Sequence, residues 1–95
     1  MKNKLKVGIV GCDRVAKHYI KFLKKLSEIK IEAVCDKKKE RAKDYSKIFN
    51  CKYFVKYNEM LKYLNYDLII ILSPSGLHYE HAKKALQQGF NVLVE

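Results

Sequence analysis

The sequence predicts an α/β fold built on a doubly wound parallel sheet, and three observations carry that prediction. Short β-branched apolar runs alternate along the whole chain with amphipathic stretches of helical spacing. A glycine, Gly11, stands directly after the first apolar run. The run Asp67 to Leu72, "DLIIIL", is apolar at nearly every position, as a strand covered on both faces must be. Strict alternation of strand and helix implies parallel strands joined by right-handed crossovers. With the turn glycine after the first strand, the expected spatial order is 3-2-1-4-5.

Each element has its own signal. Leu5 to Val10 is rich in β-branched residues and ends at Gly11, which makes it the first strand. Val15, Tyr19, Phe22, Leu23 and Leu26 recur at helical spacing and mark one face of the first helix. Ile29 to Cys35 is the second strand. Ala42, Tyr45, Ile48 and Phe49 mark the second helix, which should end near Asn50. Cys51 to Val55 reads as a short third strand, and Met60, Leu61 and Leu64 suit a short helix. After "DLIIIL", Ser73-Pro74-Ser75-Gly76 breaks the strand and opens a helix through Ala82, Ala85 and Leu86. Gly89 is placed to end that helix in the left-handed conformation. Asn91 to Glu95, "NVLVE", is the fifth strand.

The composition narrows the classes open to the chain. Ninety-five residues make one domain, and 48% hydrophobic content with a single proline favours folding over disorder. No apolar run approaches the ~18 residues of a membrane span. The basic N-terminus has too short an apolar stretch for a signal peptide, so the expected compartment is the cytoplasm. Cys12, Cys35 and Cys51 show no C-x-x-C spacing, which argues against a disulfide framework and against a metal site. The formal charge of +10 comes from dispersed lysines, with Lys37-Lys38-Lys39 the only triple. That pattern reads as solvated helix faces, not as a nucleic-acid surface.

A sheet of this order carries its ligand crevice at the carboxyl ends of the strands, beside the first strand. The residues there are therefore the candidates. Gly11-Cys12-Asp13-Arg14-Val15-Ala16 stands against the ideal G-x-G-x-x-G/A of a dinucleotide-binding turn. The first glycine and the last small residue are present, and Asp13 replaces the glycine that lets backbone approach a pyrophosphate. Asp36 follows the second strand about 20 residues beyond Ala16, the spacing of an acid that accepts hydrogen bonds from the adenosine ribose. Its carboxylate favours NAD, while Lys37 and its neighbours leave NADP open. Ser73, Pro74 and His78 follow the fourth strand, with His78 expected in the first helical turn and facing the crevice. His18 and His81 read as structural residues on helix surfaces. Glu95, ending the fifth strand, is expected to point to the same crevice.

With "GIVGCDRVAKHY", "AVCD", "SPSGLHYEHAKKAL" and "GFNVLVE" in this order, the chain resembles the N-terminal domain of the Gfo/Idh/MocA family, the oxidoreductases of the glucose-fructose oxidoreductase and inositol dehydrogenase type. The resemblance covers essentially all of residues 1–95 and implies an NAD(P)-binding Rossmann domain. Carried over residue by residue, it implies that Gly11, Asp13, Arg14 and Val15 line the pyrophosphate turn and that Asp36 holds the adenosine ribose. Ser73, Pro74 and His78 would border the nicotinamide side, with Glu95 beneath the nicotinamide ribose.

The chemistry implied is hydride transfer between a nicotinamide and a hydroxyl-bearing carbon of a sugar, cyclitol or nucleotide sugar. "SPSGLH" resembles the nucleotide-sugar branch. In the family the fifth strand continues Glu-Lys-Pro, the lysine being an active-site residue, and a larger C-terminal domain supplies the substrate pocket. Hydride transfer needs the nicotinamide about 3–3.5 Å from the reacting carbon and a group to take the hydroxyl proton. Residues 1–95 are thus expected to be the cofactor-binding portion of a dehydrogenase, inactive by themselves. A stand-alone module that binds or senses a dinucleotide is the alternative. An apolar strand at the edge of the sheet, "NVLV", is expected to favour self-association, and a homo-oligomer with it.

Asp13 adds bulk and a like charge near the expected pyrophosphate. Asp13→Gly should therefore tighten NAD binding, as measured by calorimetric titration. Unchanged or weaker affinity would mean that Asp13 is turned away or makes a contact of its own.

Overall fold

Nine elements follow the order that the alternation predicts. A computed structural model describes residues 4–12 and 17–94. They are β1 (Leu5–Val10), α1 (Lys17–Lys25), β2 (Ile29–Cys35), α2 (Lys39–Phe49), β3 (Lys52–Phe54), α3 (Tyr57–Tyr63), β4 (Leu68–Ile71), α4 (Ser75–Gln87) and β5 (Val92–Val94). Among the described residues the strands form one sheet in the order β3-β2-β1-β4-β5, and every pairing is parallel. β1 thus lies between β2 and β4, where the chain changes direction across the sheet.

Alternation along each strand divides the core into two layers. Val7 and Ile9 of β1, Val34 of β2 and Ile70 of β4 pack with Leu23 of α1 and Tyr45 of α2. On the other face Val10, Ala33, Cys35, Ile69 and Ile71 pack with Met60 and Leu61 of α3 and Ala85 of α4. Ile31 and Val34 belong to the same layer although they are three residues apart. The register explains it: Val7 pairs with Ile31 but Gly8 pairs with Ala33, so Glu32 is skipped. One extra residue in a strand reverses the side on which the following residues emerge.

Two helices end on left-handed residues. Asn50 (φ 53°) follows α2, and the next amide, Cys51 N–H, donates to Ser46 O at 2.9 Å. Gly89 (φ 88°) follows α4, with Gly89 N–H on Leu86 O at 2.9 Å and Phe90 N–H on Ala85 O at 3.1 Å. This paired closure satisfies carbonyls the helix leaves unbonded and turns Phe90 into the core, where its ring meets Tyr66 edge-on at 5.6 Å. Some apolar residues fall differently from the sequence expectation. Phe22 is 58% exposed, because the buried stripe of α1 runs through Leu23, and Leu86 is 59% exposed beside buried Ala85. β3 is shorter than expected, with Cys51 and Val55 outside it.

Among the four glycines, Gly11 in the turn after β1 has the least room for a side chain. Gly11 has φ +98°, a conformation that L side chains rarely adopt. A Cβ on it would stand 2.4 Å from Ser73 N and 2.6 Å from the Leu72 carbonyl carbon, both backbone atoms. Around it, Gly11 N–H donates to Cys35 O and Leu72 N–H donates to Val10 O, each at 2.8 Å. The glycine therefore permits the ends of β1, β2 and β4 to meet. Gly11→Ala should cost about 3 kcal/mol or more, from strained backbone and a contact that no rotamer relieves. Chemical denaturation measures it; a loss below about 1 kcal/mol would contradict this packing.

Candidate functional site

The meeting of three strand ends leaves a cavity of about 370 Å³ on the β2 side of β1. Its floor is Val10, Gly11 and Cys35. Asp36 to Lys38 and Arg41 form one wall, Val55 to Tyr57 another, and Ser73, Pro74, Leu77 and His81 close it from the α4 side. The volume lies toward the lower end of the ~300–1,000 Å³ typical of small-molecule sites.

Asp36 organises the mouth. Its Oδ2 accepts the Cys12 N–H at 2.8 Å, and its Oδ1 accepts the Lys38 N–H at 2.8 Å. One carboxylate thus ties the loop after β1 to the loop after β2. Its own amide donates to Phe54 O at 3.1 Å, which adds the end of β3. Hydrogen bonds to a charged acceptor contribute about 1.5–3 kcal/mol each in general, so the side chain is held in place before any ligand arrives. Each carboxylate oxygen has a second lone pair, which leaves acceptor capacity for a ligand hydroxyl.

Asp36 is the one carboxylate among the described residues that line this cavity; Lys37, Lys38, Arg41 and Lys56 are the cations. The balance favours an anionic ligand at the rim, while Val55, Pro74 and Leu77 make the interior apolar. Lys83 and Lys84 of α4 join Lys37 and Lys56 around an adjoining, more open groove. Every lysine whose side chain is described is exposed, which accords with solvated helix faces.

Ser73 is the buried polar residue at the far wall, and its Oγ lies 2.8 Å from His81 Nδ1. Tyr57 braces the same histidine: its hydroxyl donates to His81 O at 2.7 Å, and its ring meets the imidazole edge-on at 4.7 Å. Burial lowers the His81 pKa from its ordinary value, and the Lys37 charge lowers it further, so the ring is neutral at pH 7.

Of the residues singled out from sequence, Gly11, Asp36, Lys37, Ser73 and Pro74 line this one cavity. Asp13, Arg14, Val15 and Glu95 lie outside the described residues. His78 stands half-buried in the first turn of α4, as expected, and does not line this cavity; His81, read as structural, does. Helical spacing does not separate the two: Leu77, His81 and Ala85 fall at i, i+4 and i+8, and His78, His81 and Ala85 at i, i+3 and i+7, both stripes that share buried Ala85.

The thiols offer no nucleophile. Burial pushes Cys35 up to about 12 and Cys51 up to about 11, and it pushes Cys12 higher still, with the Asp36 charge next in effect. Cys12 Sγ does reach Cys35 O at 3.4 Å, but the two side chains belong to opposite layers of the core.

Comparisons with known proteins bear on this site as a whole. The family model described as "Oxidoreductase family, NAD-binding Rossmann fold" (GFO_IDH_MocA) matches residues 5–95. The D-glucoside 3-dehydrogenase of Escherichia coli (strain K12) is 29% identical over 93 residues, covering 96% of this chain and 26% of that protein. The WlbA dehydrogenase of Chromobacterium violaceum, solved with NADH and UDP-GlcNAcA, superposes with a TM-score of 0.91 at 26% identity, covering 96% of this chain and 27% of that one. A 3-ketoreductase from Actinomadura kijaniata, solved with NADP and TDP-benzene, gives a TM-score of 0.89 at 26% identity, over 97% of this chain and 29% of that one. The chain spans about a quarter of the length of the curated relatives it matches, from 25% to 29%.

Proposed function

This chain belongs to the Gfo/Idh/MocA oxidoreductase family through its NAD-binding Rossmann fold, and from that premise we propose that it is the cofactor-binding portion of a dehydrogenase. The reaction of the whole protein is hydride transfer between a nicotinamide and a hydroxyl-bearing carbon of a sugar, cyclitol or nucleotide sugar. The observation that carries the reading is the preset Asp36 carboxylate at the mouth of an apolar cavity, directly across from the Gly11 turn.

The residues fit a dinucleotide in a definite sense. The carboxylate accepts from the adenosine ribose hydroxyls, and the apolar slot between Val55 and Leu77 takes the base. Gly11 brings bare backbone to the start of the pyrophosphate path, a role the family resemblance also assigns to Asp13, Arg14 and Val15. Ser73 and Pro74 lead from β4 toward the nicotinamide, and the resemblance assigns His78 and Glu95 to it as well. The bound cofactor supplies the hydride acceptor or donor. What this chain contributes is position: an anchored adenosine half at the end of β2 directs the other half across β1 toward β4 and β5. The substrate pocket and the group that moves the hydroxyl proton belong to the rest of the protein.

The negative charge of Asp36 disfavours a 2′-phosphate, so NAD is the preferred cofactor, while Lys37, Lys38 and Arg41 soften the discrimination against NADP. Support for a cytoplasmic setting comes from three free thiols and a dinucleotide ligand. Among the described residues, no helix is long and apolar enough to cross a membrane.

Calorimetric titration tests the assignment. NAD+ should bind more tightly than NADP+, and Asp36→Asn should narrow that preference by about tenfold, the equivalent of roughly 1.4 kcal/mol. Absence of NAD+ binding by the wild-type protein would end the reading.

A further inference from the structure

His81 is not accounted for by the ribose, the pyrophosphate or the nicotinamide. It lines the cavity from α4, where the cavity adjoins a more open groove, and is held at three points. Tyr57 fixes its backbone carbonyl and packs against its ring, and Ser73 Oγ lies 2.8 Å from Nδ1. Such bracing is more than a surface histidine on a helix requires.

The hydrogen bond also sets the tautomer. Ser73 is buried, and among the described residues its hydroxyl has His81 Nδ1 as its one side-chain partner. If the histidine donated from Nδ1, the hydroxyl proton would be left without an acceptor in a buried place. If the serine donates, both groups are satisfied. The imidazole proton then resides on Nε2, which has no partner among the described residues. A neutral ring with a fixed N–H donor thus lines the cavity alongside Pro74 and Leu77.

We propose that His81 reads the base of the nucleotide, donating from Nε2 to a ring nitrogen of a purine seated between Val55 and Leu77, with Ser73 as the positioning residue that sets its tautomer. The inference rests on the cavity being the adenosine end of a dinucleotide site. Its consequence is a preference for adenine nucleotides that resides in this pair and not in Asp36, which senses only the sugar. A pyrimidine is a smaller ring and buries less apolar surface between Val55 and Leu77 than a purine does. Lys37 and Lys56, at the rim, act on the phosphates and leave base preference alone.

The test titrates the protein with NAD+, ADP and CDP, the last two differing only in the base. His81→Phe, His81→Gln and Ser73→Ala are compared with wild type, with thermal unfolding followed in parallel. Wild type should prefer ADP over CDP by about tenfold. His81→Phe keeps the ring and loses the donor, so it should weaken NAD+ and ADP by similar factors and bring the ADP:CDP ratio down toward one. His81→Gln, which carries an amide N–H, should restore most of the preference, and Ser73→Ala should lose part of it. A wild-type protein that binds no NAD+ removes the cavity assignment itself. A wild type that binds NAD+ without preferring ADP overturns the inference alone, as does an unchanged ratio in His81→Phe. Should His81→Phe fail to fold, an unchanged ratio in Ser73→Ala overturns it equally.

Discussion

The crevice depends on one close approach of backbone to backbone, that of Gly11 to the Leu72–Ser73 peptide. No side chain fits between them, and the positive φ of Gly11 turns the chain away from β1 at that point. Around this contact the ends of β1, β2 and β4 are drawn together by Gly11 N–H on Cys35 O and Leu72 N–H on Val10 O. Asp36 then fastens the two loops that leave β1 and β2. The site is therefore a by-product of sheet topology, sharpened by a single carboxylate.

The cavity is divided by chemistry. Charge gathers at the rim, where Lys37, Lys38, Arg41 and Lys56 surround Asp36, while the interior is apolar and is lined by a neutral, braced imidazole. Burial takes the three thiols out of acid–base chemistry near neutral pH, so the cysteines act as small packing groups. A charged rim with an apolar depth suits a nucleotide, whose phosphates stay near solvent while its base is buried.

Much of the fold was legible because its signals were redundant. "DLIIIL" could only be a strand covered on both faces, Gly89 closed α4 as its position implied, and strict alternation fixed the strand order. The misplacements came where one helical turn decides. Phe22 and Leu23 are adjacent and both apolar, and only packing against the sheet selects Leu23. His78 and His81 are three residues apart on one helical face, and which of them lines the cavity depends on the exact rotation of α4, which spacing alone does not give. The bulge at Glu32 left no trace in composition, since Ile31 and Ala33 are both apolar. Asp36 was found from its spacing, but its two backbone partners belong to loops that only the folded sheet brings together.

The central claim is that the carboxyl ends of β1, β2 and β4 hold the adenosine half of an NAD-type cofactor on the β2 side of β1. Backbone amide spectra recorded by NMR during titration with NAD+ test it directly. The account predicts the largest shifts at Gly11, Cys12, Lys37, Lys38 and Leu77, with the amides of α1 beyond Phe22 nearly unmoved. Shifts concentrated on the lysine-bearing surface of α1 or along the β5 edge, with the Gly11 and Lys38 amides unchanged, would contradict it.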